Sequence, residues 1–103
     1  MPGDYRSLLV RALGESPKLR IIDYLLDYPI ASFTKKEIIE GLGMSKQTFY
    51  KYFGDLEKLG LVTISKRIGR VSLYKINLKN PMVRMISEYE RRLSLQIAEQ
   101  EED

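Results

Sequence analysis

Residues 34–60 read TKKEIIEGLGMSKQTFYKYFGDLEKLG, and the spacing within them is that of two helices joined by a tight turn. Thr34 and Glu37 stand three apart, as in a capping box, where each residue satisfies the other's free amide at a helix start. The helix they open carries Ile38, Ile39 and Leu42 on one side. Gly43 is suited to close it, because glycine takes the left-handed conformation without penalty. Ser45 then caps a second helix only three residues after Leu42, running from Lys46 to about Leu59 and ended by Gly60. Two capped helices around so short a glycine-containing turn form a helix-turn-helix signature.

The second helix of this pair has two unlike faces. Phe49, Phe53 and Leu56 lie at i, i+4 and i+7 and are expected to dock on the preceding helix and the hairpin. The opposite face holds Lys46, Gln47, Tyr50, Lys51 and Gly54, with Ser45 and Thr48 at its N-terminal edge and no acidic residue. Glutamine can bridge adenine N6 and N7, lysine can reach guanine O6 and N7, and a helix N-terminus favours phosphate. Any surface helix shows polar residues opposite an apolar stripe, so a plain solvated face is the alternative. The capped helix and turn upstream favour a face that enters a groove.

Downstream the periodicity changes. Residues 61–65 and 71–78 are rich in β-branched side chains and read as two strands. The turn is expected across Lys66, Arg67, Ile68, Gly69 and Arg70, with three cations at the tip. Basic residues at a hairpin tip can simply discourage edge-to-edge aggregation; beside a helix-turn-helix, contact with DNA backbone or minor groove is favoured, arginine being the usual reader of a narrow minor groove. Asn80 and Pro81 then open a final helix of some twenty residues. Its Met82, Ile86, Tyr89, Leu93 and Ile97 are spaced 4, 3, 4 and 4, close to a coiled-coil seam. Upstream, Ser16 and Pro17 open a helix expected to reach about Tyr28, before Pro29. Tyr5, Leu8, Leu9 and Leu13 share one face of a shorter helix ended by Gly14.

Composition narrows the function classes. The chain of 103 residues contains no Cys and no His, which removes disulfides, thiolate chemistry, Cys/His metal sites and histidine acid–base catalysis. No spacing pairs the remaining carboxylates, lysines, serines or tyrosines for catalysis, so no enzyme, metal, cofactor or small-molecule ligand is expected. No apolar run approaches the ~20 residues that cross a bilayer, so no membrane role is expected and a cytoplasmic location is. Residues 34–79 carry ten basic and four acidic side chains, against four of each before them and three basic and six acidic after. The excess in the middle points to a polyanion partner.

With these residues in place, the order of helices, the turn at Gly43, the Leu59-Gly60-Leu61-Val62 junction and the basic hairpin resemble winged helix-turn-helix DNA-binding domains. The resemblance is greatest to small archaeal and bacterial regulators of the ArsR and MarR type, and covers roughly residues 16–78. It implies a mainly α fold with a small β-hairpin, flanked by N- and C-terminal helices. It also implies that residues 34–42 support a recognition helix from Ser45 to Leu59, with Lys66 to Arg70 as the wing. Metal-sensing ArsR proteins bind their metal through Cys or His, and this chain has neither.

The resulting expectation is one domain acting as a homodimeric, sequence-specific regulator of transcription on double-stranded DNA. Lys46, Gln47, Tyr50 and Lys51 would face bases; Lys35, Lys36, Ser45, Thr48, Lys66, Arg67 and Arg70 would face phosphates or the minor groove. Residues 1–15 and 79–103 would dimerise through Tyr5, Leu8, Leu9, Leu13, Met82, Ile86, Tyr89, Leu93 and Ile97. The final helix could instead fold back on its own core. A winged helix that docks on a protein assembly is the alternative function.

Overall fold

Among the described residues, each helix begins at a side chain that satisfies otherwise free backbone amides. The computed structural model describes residues 16–101: α1 (Pro17–Leu26), α2 (Lys35–Leu42), α3 (Lys46–Lys58), β1 (Val62–Ile68), β2 (Val71–Ile76) and α4 (Pro81–Glu101). Ser16 caps α1 by accepting from Leu19 N at 3.5 Å. The Thr34–Glu37 capping box is complete, with bonds of 2.8 and 3.1 Å. Ser45 Oγ accepts from Thr48 N at 3.1 Å, and Asn80 Oδ1 accepts from Met82 N at 2.8 Å and Val83 N at 3.3 Å. The helix expected around Tyr5, Leu8, Leu9 and Leu13 lies outside the described residues.

The turn between α2 and α3 closes as its glycine predicts. Gly43 has φ +65°, and the amides of Gly43 and Met44 bond back to Glu40 O and Ile39 O, the paired closure of a Schellman motif. The same pattern ends α3, where Gly60 N bonds Glu57 O and Leu61 N bonds Leu56 O. α1 stops at Leu26 rather than Tyr28, because Pro29 disfavours helical geometry in the residue before it.

The core is built from α1, α2, α3 and the base of the hairpin. Ile21, Leu25, Ile38, Phe49, Phe53, Leu56 and Ile76 are fully buried. Phe49 stacks on Phe53 with ring centroids 4.6 Å apart, and Phe53 meets Tyr74 of β2 edge-on at 5.1 Å. α1 and α2 approach closely at Gly41, where a Cβ would stand 2.6 Å from Cζ of Tyr24. β1 and β2 pair antiparallel from Val62↔Ile76 to Ile68↔Val71, with a register irregularity between Ile64 and Lys66. Phe33 adds a one-residue third strand through reciprocal bonds with Tyr74 of 2.8 and 2.7 Å. This architecture is a winged helix-turn-helix.

α4 leaves the body. Its 21 residues make a rod of about 31 Å, and the molecule measures 54 Å along its longest axis against 27 Å along the next. Val83 is buried in the core and Ile86 packs against it. Among the described residues, no helix is long and apolar enough to cross a membrane.

Candidate nucleic-acid interface

The apolar stripe of α3 fixes which way its other side looks. With Phe49, Phe53 and Leu56 locked in the core, helical periodicity turns Lys46, Gln47, Tyr50, Lys51 and Gly54 outward, and all five are exposed. Asp55, on the flank of this face, is engaged by Lys18 of α1 at 3.1 Å. Glu37 of α2 serves the capping box. The outward side of α3 therefore presents cations and amide donors with Asp55 and Glu37 both occupied, while the half-buried Glu57 stands one turn beyond Gly54 at the far end of the helix.

Ser45, Thr48 and Lys35 were expected to face phosphate, and the structure gives each a local task. Ser45 Oγ caps α3 and also donates to Thr48 Oγ1 at 2.9 Å. Thr48 is half-buried. Lys35 is half-buried as well, and its Nζ lies 5.4, 5.6 and 5.5 Å from the ring centroids of Tyr50, Phe53 and Tyr74. A cation held against ring faces in this way is attracted by their quadrupoles. Lys35 thus supports Tyr50 from beneath, whereas Lys36 beside it is exposed.

The wing differs from its expected form. Lys66, Arg67 and Ile68 belong to β1, and the turn is the two-residue loop Gly69–Arg70 between the paired Ile68 and Val71. Gly69 has φ +61°, and no non-glycine residue described has positive φ, the pattern of a type II′ hairpin turn. Only Arg70 of the three cations is in the turn; Lys66 and Arg67 line the ribbon below it. Every residue from Ser65 to Val71 is exposed, so the outer half of the ribbon stands free of the core. From Glu57 to Glu88 the sequence has seven cations and no intervening acid.

A pair of asparagines ties the end of α3 to the start of α4. Asn77 Nδ2 donates to Gly60 O at 2.8 Å, and Asn80 Nδ2 donates to Gly60 O and Leu59 O at 3.1 Å each. The carbonyls left over at the end of α3 are therefore held by side chains at the entrance to α4. Asn80 was legible as a cap; its second task, and Asn77 altogether, were not, because both depend on partners 17 to 21 residues away.

The residues expected to form a dimer seam fall on two adjoining sides of α4. Ile86, Leu93 and Ile97 are half-buried, on the side that carries the buried Val83. Met82 and Tyr89 are exposed, and beside Tyr89 on the helical wheel lies Met85, which is 71% exposed. The simple 4-3-4-4 count missed Met85, which the i, i+3, i+7 pattern of Met82, Met85 and Tyr89 would have found. Among the described residues, no group of three or more acidic, cysteine or histidine side chains is placed to hold a metal.

Comparison with known proteins gives an informative likeness at the level of structure. No family model and no curated protein matches the sequence. Among solved structures, the chain is similar to one described as a possible transcriptional regulator from Methanosarcina mazei Go1. The TM-score is 0.58 at 16% identity, over 90% of this chain and 86% of that one. The shared property is the fold.

Proposed function

We propose that this protein is a homodimeric, sequence-specific transcriptional regulator that binds double-stranded DNA in the cytoplasm. The observation that carries the reading is the outward face of α3, whose Lys46, Gln47, Tyr50 and Lys51 are exposed beside a projecting basic ribbon. In this reading residues 16–78 form the DNA-binding core. α3 enters the major groove, where Gln47 and the lysines meet base edges. Lys36, Lys66, Arg67 and Arg70 contact phosphates or the minor groove. Residues 1–15 and 79–103 form the dimer, with Met82 and Tyr89 at the exposed side of α4, so that two recognition helices meet half-sites about 34 Å apart. The fold shared with the possible transcriptional regulator from Methanosarcina mazei supports this reading.

The test is a binding titration at several salt concentrations, using duplexes selected from a random pool and unselected controls. Binding is expected to weaken steeply with salt, by a slope of roughly −0.9 per phosphate neutralised. Gln47→Ala is expected to relax preference at one base position by about 1–3 kcal/mol, and Arg67→Ala to weaken all sequences alike. A salt-insensitive complex, or no complex with any duplex, overturns the reading in favour of a winged helix that docks on acidic protein.

A further inference from the structure

The free end of the wing is apolar as well as basic. Ile68 is 62% exposed and Val71 49%, and they face each other across the ribbon as the last pair before the turn. Cross-strand partners lie on the same face and side chains alternate along a strand. Ile68 and Val71 therefore share a face with the paired Lys66 and Leu73, while Arg67 and Ser72 occupy the other. Two branched hydrocarbon side chains thus stand in water at the most remote point of the ribbon, flanked by Lys66, Arg67 and Arg70. A ribbon end serving only to stay soluble would carry polar groups at those positions.

Charge and reach identify what covers them. The nearest acidic residues in the chain, Glu57 and Glu88, lie 11 residues before Ile68 and 17 after Val71, so the surroundings suit a polyanion. β1 is anchored at Val62, which is buried, and its six steps to Ile68 span about 20 Å. One turn of B-DNA is about 34 Å, and half a turn separates a major groove from the neighbouring minor groove. A ribbon of this length, rooted next to α3, spans that distance. Minor-groove proteins use apolar side chains in this way, pressing them between base steps to unstack and kink the duplex by roughly 20–90°.

We infer that Ile68, backed by Val71, is a minor-groove wedge that bends the DNA bound by α3, with Arg70 and Arg67 holding the flanking phosphates. This rests on the DNA-binding reading above and adds a deformation to it. Sequence preference at the wedged step then follows from how easily that step kinks rather than from hydrogen bonds to bases.

The experiment uses the full chain and a short duplex with an A·T-rich centre and flexible TA steps, labelled at its ends with donor and acceptor dyes. Wild-type protein is expected to raise energy transfer on binding, as the ends approach. Ile68→Ser is expected to abolish that rise and weaken binding roughly tenfold, which is about 1.4 kcal/mol. Its salt slope should stay unchanged, because no charge is removed. Arg70→Ala is expected to lower the salt slope by about 1 while part of the bend persists. Since Ile68 and Arg70 are exposed, both variants should melt like wild type, which circular dichroism verifies.

Wild-type binding without a rise in energy transfer overturns the wedge and leaves the DNA-binding reading standing. So does an Ile68→Ser variant that binds and bends as wild type does. If Ile68→Ser instead converts a dimer to a monomer in sedimentation, the tip is a contact between copies and the wedge is wrong. Absence of any wild-type complex overturns both readings.

Discussion

Gly54 stands in the middle of α3 on its outward side, and a methyl group there would meet nothing within 4 Å. Interior glycine costs a helix roughly 0.5–1 kcal/mol relative to alanine, and no packing within the described residues calls for it. Gly54→Ala is therefore expected to raise stability by about that amount, a rise in Tm of roughly 4–8 °C per kcal/mol for a domain of this size. In the proposed complex Gly54 lies one turn beyond Tyr50, where the helix backbone nears the groove wall. The more stable variant is accordingly expected to bind duplex more weakly, and paired melting and binding measurements separate the two effects. The outward position of Gly54 was legible from helical period alone. The task of Lys35 was not, because its three aromatic partners come from α3 and β2, and sequence spacing says nothing about which rings converge on an ammonium. Residue roles set by local geometry can be read directly; those set by convergence need the fold.

Among the elements, α4 has the clearest dependence on single side chains. Asn80 caps it and bonds two carbonyls at the end of α3. Asn80→Ala is expected to cost about 1 kcal/mol for the cap and up to as much again for the lost carbonyl bonds, measured by chemical denaturation. Further along, the Glu88 carboxylate bonds Arg91 at 2.6 Å and Arg92 at 2.8 Å, and those hydrogen bonds hold its pKa below the ordinary 4.5. A lowered carboxyl pKa adds stability that is present above about pH 4.5 and is lost as pH falls through the lowered value. Amide chemical shifts of residues 88–92 are expected to show α4 loosening in acid, and Glu88→Gln to remove that dependence. The helix starts were legible because capping is a three-residue affair, and the hairpin because β-branched runs announce strands. The wing turn is shorter than the run from Lys66 to Arg70 suggests, because Lys66, Arg67 and Ile68 pair with β2. Gly69 followed by one residue already specifies a two-residue loop, which returns Lys66 and Arg67 to the strand. Phe33 as a third strand could not be foreseen, since a single bridge exists only where tertiary packing brings it to Tyr74.

At the scale of the whole molecule, the exposed side of α4 is where association would show itself. Met82 is 51% exposed and Met85 71%, and a charge placed at Met85 disturbs little within one chain. Met85→Glu is expected to leave melting of the core intact, to shift sedimentation from dimer to monomer, and to weaken operator binding by the loss of the second half-site. A dimer that persists in this variant would place the interface elsewhere. The breadth of the apolar arc was visible in the sequence, but its division was not: a strip that serves the core on one side and faces water on the other has the same periodicity as a single seam. The Asn77 and Asn80 clasp on Gly60 has a mechanical consequence. A rod of about 31 Å is fastened at its near end to the tail of α3 and seated there by the buried Val83, so it pivots at that end. Displacing the far tip by about 5 Å swings the rod through about 10°, and that rotation is felt both at the clasp and at Val83, which α4 buries in the core. A load on the distal end is therefore felt at the last turn of α3, where Leu59 and Gly60 accept from Asn77 and Asn80.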